Sequence, residues 1–222
     1  MYDPYWSVKP VAIAAFLLSM APYGEPMIFR WALFFLIFLY GLRLTTNFYR
    51  GWQGLVHEDW RYSDFRKQFP GFYWLVSFGG IHLFPTLMVF LGCLPMIPAF
   101  TATGIEYPLL AFVGLVVLLG AVVLAFVADE QLRKIKKLPH GERKMTGLWQ
   151  LSRHPNYLGE ILTWWGIFFA GLSFGMEFLW TGIGAVAITL LFVFISIPMM
   201  ENRLLKKNRD YENYREEVPA LL

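Results

Sequence analysis

Leu-Leu-Ala-Phe-Val-Gly-Leu-Val-Val-Leu-Leu-Gly-Ala-Val-Val-Leu-Ala-Phe-Val-Ala, residues 109–128, is twenty residues long and carries no charge. A hydrocarbon core of ~30 Å needs about that many helical residues to cross it. Lipid offers no hydrogen-bond partner, so every backbone N–H and C=O must be paired within the protein, which leaves helices and closed barrels. The run is continuous, with no apolar/polar alternation at period two, and so reads as a helix. Over the whole chain of 222 residues, 57% are hydrophobic and only 16% charged, with a mean hydropathy of +0.47. That balance excludes a water-soluble globule and gives the fold class: an all-α, polytopic membrane helix bundle in one domain.

Five further apolar stretches flank the first, for six expected spans: Pro10–Tyr23, Met27–Leu44, Phe72–Phe100, Tyr107–Ala128, Asn156–Phe174 and Leu179–Met200. The first is short. The third is long and holds Pro85, Pro95 and Pro98, so a kink or break is expected in it. Loop charge then orients the bundle. With six spans, 18 of the 19 basic residues fall on one face and only Arg30 on the other. The positive-inside rule makes the basic face cytoplasmic, with both termini there. The start of the chain lacks the basic region of a cleavable signal peptide. The lone Cys93 excludes an intrachain disulfide and reads as a packing residue. The four histidines, at 57, 82, 140 and 154, do not form a metal-ligand spacing, and no metal site is expected. The stretch His57-Glu58-Asp59 lacks the second histidine of a metalloprotease motif, and His82, inside a span, reads as a hydrogen-bonded structural residue. Gly182-Ile183-Gly184-Ala185-Val186-Ala187 matches a dinucleotide fingerprint in spelling only. It lies inside an apolar span, where small residues let helices approach.

Four clusters on the basic face carry chemistry-bearing residues. The densest opens the fifth span, Gly147 to Glu160, and includes Trp149, Arg153, His154, Asn156, Tyr157 and Glu160. Pro155 suits the first turn of a helix. Asn156, Tyr157 and Glu160 are spaced to share a face, and an ionisable residue one turn into a membrane is a functional candidate by default. A second cluster closes the fourth span. If the helix continues, Asp129, Arg133 and Lys136 or Lys137 line up, and basic groups one turn apart can pair phosphates. A salt-bridged helix end explains that cluster equally well. The third follows the sixth span with Glu201, Arg203, Tyr211 and Tyr214. In the fourth, Arg43, Asn47 and Arg50 share a helical face.

These stretches together (Gly-Leu-Trp-x-x-Ser-Arg-His-Pro-Asn-Tyr-x-Gly-Glu at 147–160, Ala-Asp-Glu-Gln-Leu at 128–132, Arg-Leu-Thr-x-Asn-x-x-Arg-Gly-Trp at 43–52 and Glu-Asp-Trp-Arg-Tyr at 58–62) resemble bacterial members of the steroid 5-alpha-reductase family. The resemblance runs over nearly the whole chain. It extends more loosely to sterol C14 reductases and isoprenylcysteine carboxyl methyltransferases. It implies NADPH bound within the bundle on the cytoplasmic side of a bacterial inner membrane, and hydride transfer to the β-carbon of an enone whose carbonyl is polarised by an acid and a phenol. On that resemblance Trp149, Asn156, Tyr157 and Glu160 meet the nicotinamide half. Asp129, Arg133 and Lys136 meet the adenosine and phosphate end, with Arg153 and His154 in the same cofactor set. Glu201, Arg203, Tyr211 and Tyr214 close over the cofactor.

The chain also departs from the family. Family members usually carry a further helical segment before this start, and the acid that holds the carbonyl comes from there; Asp3 is the candidate here. The position matched to the phenol is Asn47, with Arg50 beside it. A steroid-like molecule, an isoprenoid or another unsaturated lipid is therefore the expected substrate, membrane lipids are the expected surroundings, and no nucleic-acid partner is expected. A methyltransferase using S-adenosylmethionine and a non-catalytic lipid-binding protein are the alternatives.

Overall fold

The computed structural model describes residues 5–22, 24, 26–52, 54, 60–139, 144–207 and 211–221. Asp3, the His57-Glu58-Asp59 stretch and His140 lie outside the described residues. All regular structure among those described is helical: α1 (Tyr5–Ser19), α2 (Met27–Gly51), α3 (Trp60–Gln68), α4 (Tyr73–Ser77), α5 (Phe84–Cys93), α6 (Met96–Thr101), α7 (Pro108–Lys137), α8 (Pro155–Leu172), α9 (Ile183–Leu191), α10 (Ile197–Lys207) and α11 (Tyr211–Glu217). Among the described residues four stretches are long and apolar enough to cross a bilayer: Met27–Gly51, Tyr73–Cys93, Pro108–Lys137 and Met176–Lys207. The first and fifth expected spans fall short of that measure for different reasons. Helix α1 has only 15 residues. Helix α8 opens with Pro155-Asn156-Tyr157 and Glu160, yet 11 of its 18 residues are buried, which makes it the centre of the bundle.

Lipid tails are as apolar as leucine, so helices in a membrane gain little from hiding hydrocarbon and associate instead through close van der Waals fit. Small residues supply that fit here. Helices α7 and α8 form the closest pair. A Cβ on Gly166 would stand 2.7 Å from the Leu118 nitrogen, and one on Gly159 would stand 2.9 Å from the Ala121 carbonyl oxygen. Gly41 seats α2 on the Ser7 carbonyl of α1, and Gly184 seats α9 on the Leu91 carbonyl of α5. The Gly182–Ala187 run is thus a helix-packing surface, as its apolar setting implied.

Third and sixth spans are irregular. The third is α4, a π-helical segment Phe78–Leu83 and α5, followed by a break at Leu94 and Pro95 before α6. A break was expected there from the prolines. The sixth starts as a 3-10 helix, Met176–Gly182, runs through α9, opens into a second π segment at Phe192–Ser196, and continues as α10.

Side-chain ties gather the loops into two ends. At one end Arg30, fully buried, donates to the Pro22 carbonyl at 3.0 Å and the Ala102 carbonyl at 2.6 Å. The Glu106 and Tyr107 amides both donate to the Ser173 carbonyl there. At the other end α2 is joined to α7 and α8, α10 to the 153–154 turn, and α3 to α10. Arg43, Arg50, Arg133, Arg153 and Arg203 are all tied in at this second, basic end.

Candidate functional site

Arg43 is the hub of the basic end. It lies near the end of α2 and is 7% exposed. One guanidinium nitrogen donates to Asp129 Oδ2 of α7 at 2.9 Å, and the other pairs with Glu160 Oε1 of α8. A planar guanidinium can hold two carboxylates on two helices at once, which a lysine ammonium on one stem does less well. One turn further along α2, Asn47 donates to Asp129 through its amide nitrogen and accepts from Arg133 at 2.7 Å. Asn156, in the first turn of α8, lies against Asp129 as a further donor. A carboxylate only accepts, so Asn156 presents its Nδ2 there; its Oδ1 is buried with no hydrogen-bond partner among the described residues. Arg50, two turns along α2 from Arg43, pairs with Glu130 nearer the surface.

Continuation of α7 to Lys137 is what makes this assembly possible. It projects Asp129 and Arg133 from one helical face, as the spacing predicts. Lys136 is exposed on the same helix. Trp149 is held beside α7 by local backbone geometry. Gly147 has φ +63°, and a Cβ there would strike the Gln131 side chain. Gln131 Oε1 accepts the Leu148 amide at 2.9 Å. The 3-10 turn Gly147–Gln150 then carries Trp149 inward, where its indole N–H donates to the Ala128 carbonyl at 2.9 Å.

A second cluster stands on the other side of the α8 N-terminus. Glu201 accepts from Arg153 Nε at 2.8 Å and from His154 Nε2 at 3.0 Å, with Arg215 3.4 Å away. Since Glu201 accepts, His154 carries its proton on Nε2. Burial holds the His154 imidazole below its ordinary pKa of 6.5, against the opposing pull of Glu201. The chain after α11 is bound to this cluster by its backbone. The Arg153 amide donates to the Pro219 carbonyl, the His154 amide and Ser152 hydroxyl donate to the Ala220 carbonyl, and the Arg153 guanidinium takes the Arg215 and Val218 carbonyls. Tyr214 donates to the Trp149 carbonyl, and Tyr211 packs against Tyr214 with centroids 5.7 Å apart. Burial pushes both phenols up to about 12, so both stay protonated; Tyr211 Oη is buried with no hydrogen-bond partner among the described residues.

The structure therefore divides the sequence-derived set. Asn47, Asp129, Arg133, Asn156 and Glu160 come together. Arg153, His154, Glu201, Tyr211 and Tyr214 form the neighbouring cluster. Tyr157 meets the second cluster through its ring. It stacks on His154 at 5.1 Å and 12°, and meets Phe192 at 5.0 Å. Residues i and i+4 lie nearly in line on a helix, while i+1 is turned by about 100°, so Asn156 and Glu160 face α7 and α2 while Tyr157 faces the sixth span. Arg203 is also elsewhere, with its guanidinium 4.2 Å from the Trp60 ring. Two residues escaped sequence reasoning. Arg43 was noted only as part of a face, and Tyr40 was not noted at all. Tyr40 is 4% exposed, one turn from Arg43 on α2, with the Arg43 Cζ 6.0 Å from its ring and Trp164 meeting it edge-on. The sequence signal for both was Tyr-x-x-Arg at the polar end of a span.

A family profile described as "Protein of unknown function (DUF1295)" matches residues 1–218. An uncharacterized protein of Schizosaccharomyces pombe is 29% identical over 194 residues, covering 76% of this chain and 56% of that protein. The chain thus spans little more than half the length of this curated relative. No solved structure matches.

Proposed function

The chain belongs to the DUF1295 family, and on that footing we propose that it is a steroid 5-alpha-reductase-like membrane enzyme, reducing an activated C=C bond of a hydrophobic enone with NADPH at the cytoplasmic face. The observation that carries this reading is the buried hub of Arg43, Asp129, Glu160, Asn47, Arg133 and Asn156. Charged and amide groups at that depth are costly and mark functional sites unless they serve only each other. They do not serve only each other here, because Asn156 Oδ1 is buried and unpartnered. That atom fits the amide N–H of a nicotinamide carboxamide. Arg133, partly exposed beside it, fits a phosphate.

When bound, the cofactor supplies a hydride for the β-carbon of the enone. The chain must then orient the ring and polarise the carbonyl, while the enolate left by hydride addition takes its α-carbon proton from bulk water. Asn156 fixes the carboxamide. Glu160, locked by Arg43, sets the wall of the site one turn deeper. Asn47 and Arg50, matched to the carbonyl end by resemblance, are held by Asp129, Arg133 and Glu130 and serve to position rather than to donate protons. Tyr40 supplies the missing phenol: its O–H can donate to the carbonyl oxygen, with the Arg43 cation beside it to stabilise charge that develops there.

Purified protein titrated with NADPH, NADP⁺ and S-adenosylmethionine by calorimetry tests the reading. Saturable NADPH binding, weakened tenfold or more by Asn156→Ala, is expected. Binding of S-adenosylmethionine alone would replace the reductase with a methyltransferase. No binding of either would leave a lipid-binding protein.

A further inference from the structure

Helix α3 is polar and ends on Arg66 and Lys67, whereas the chain that follows it is apolar. The Phe69 amide bonds back to the Phe65 carbonyl at 2.9 Å, and the Phe72 amide then bonds to the Phe69 carbonyl at 3.2 Å, with Pro70 and Gly71 between them. Proline presets the backbone for the second position of such a turn. The chain then enters the third apolar stretch at Tyr73, and α4 packs back on α3. Two ring contacts tie this hairpin to the basic end. Tyr62 meets the His82 ring edge-on at 6.0 Å, and the Arg203 guanidinium lies 4.2 Å from the Trp60 ring. A polar helix leading into an apolar span marks the level of the lipid headgroups, where Trp and Tyr are favoured.

Arg66 and the turn from Pro70 to Leu75 line an open cleft of about 510 Å³. Its two walls differ in chemistry. On one, the Arg66 guanidinium lies 5.0 Å from the centre of the Tyr73 ring and donates to the Tyr73 hydroxyl at 3.4 Å. Tyr73 is buried and Arg66 is exposed, so a fixed ring holds the guanidinium at the cleft while solvent still reaches it. A guanidinium presents its N–H donors in a planar fork that matches phosphate oxygens. Lys67, exposed beside it, adds positive charge, and Asp64 is the one acid in α3. The other wall is hydrocarbon: Phe72, Trp74 and Leu75 are 72%, 82% and 71% exposed. Phe78 carries that surface one turn further along the span, while Tyr73, Ser77 and Ile81 are buried. Exposed apolar residues alone would mark only a lipid-facing surface. A cation fixed beside them, at headgroup level, matches an amphiphile with an anionic head and an apolar tail.

We propose that this cleft binds an anionic phospholipid of the leaflet at the basic end, with the phosphate on the Arg66 guanidinium, Lys67 near it, and the acyl chains along Phe72, Leu75 and Phe78. The site stands apart from the Arg43 hub and needs neither NADPH nor the reductase reading.

Native mass spectrometry of the full chain released from detergent micelles, with phosphatidylglycerol or phosphatidylcholine of identical acyl chains added, tests it. One phosphatidylglycerol should bind about tenfold more tightly than phosphatidylcholine. Arg66→Gln should reduce that preference about fivefold. Trp74→Ser and Leu75→Ser together should weaken phosphatidylglycerol binding by a similar factor. These side chains are exposed, so thermal stability should stay unaltered. Lys207→Gln, at the exposed end of α10, should change nothing, which separates a site from general attraction to the basic end. Glycerol 3-phosphate at millimolar concentration should not displace the lipid, because it lacks the acyl chains that the hydrocarbon wall would hold. Displacement by it would replace the phospholipid with a soluble phosphate ester and overturn the proposal. Equal affinity for the two lipids, a preference that survives Arg66→Gln, or an equal loss in Lys207→Gln would also overturn it. So would a dimer that the Trp74 and Leu75 variant dissolves while phosphatidylglycerol binding stays intact, since a second copy of the chain would then be what covers the wall.

Discussion

Replacing Arg43 by methionine takes away the one cation that Asp129 and Glu160 share. The Arg43 side chain is 5% exposed, and the two carboxylates are 15% and 12% exposed, so water does little to replace it. Removing one member of a buried ion pair costs about 3–5 kcal/mol, because the remaining charge is stranded. Here two charges are stranded on neighbouring helices, and the upper end, roughly 5 kcal/mol, is expected. Reversible unfolding of the purified protein in mixed micelles, driven by sodium dodecyl sulfate and followed by circular dichroism, measures this directly without cofactor. Methionine fills a similar volume, so a cavity contributes little. The decisive companion is the triple variant Arg43→Met, Asp129→Asn, Glu160→Gln, in which no charge is left behind. It should recover most of the lost stability. A loss below about 1 kcal/mol in the single variant, or no recovery in the triple, would refute the hub as described.

Gly184→Ala should destabilise by about 1–3 kcal/mol in the same assay, because its new methyl collides with the Leu91 backbone rather than with a yielding side chain. Trp149→Phe should cost about 1 kcal/mol or more through loss of the bond to the Ala128 carbonyl and should shift the near-ultraviolet dichroism; an unchanged melting point would show that the indole is not held there. For His154 the sign is set by its lowered folded pKa. Above 6.5 the ring is neutral folded or unfolded and the His154 contribution is intact; as pH falls below 6.5 the unfolded chain takes up the proton first, and stability drops toward the folded value. Thermal stability of His154→Gln should therefore depend less on pH between 7 and 5 than that of the parent, and equal slopes would count against a buried neutral imidazole.

Four of the six expected spans were legible because continuous hydrophobicity is enough to specify a helix in lipid, while the short first and the polar-headed fifth fall short of that measure. The break in the third span was legible from Pro95. The two π segments were not, since nothing in Phe78–Leu83 or Phe192–Ser196 distinguishes an extra residue per turn from an ordinary apolar helix. Asn156 and Glu160 were legible as one face by their spacing of four. Tyr157 was assigned to the same face and lies to one side of it, and the stack with His154 and Phe192 settles where it points. Arg43 is the main omission. At the end of an apolar span an arginine reads as a group reaching for the surface, and only the approach of α7 and α8 reveals that it points the other way.

The end of α11 and the residues that follow it have a consequence for how the protein is made. Residues 215–220 provide carbonyls that Arg153, the His154 amide and Ser152 use. Those groups are synthesised some sixty residues earlier, at the threshold of α8. During biogenesis the fifth span therefore has to take its place with the donors at its head still unsatisfied, and the sixth span must follow before they find partners. The last described stretch of chain thus completes the earlier 152–154 turn, whereas the Arg43 hub, built from α2, α7 and α8, needs no residue beyond the fifth span.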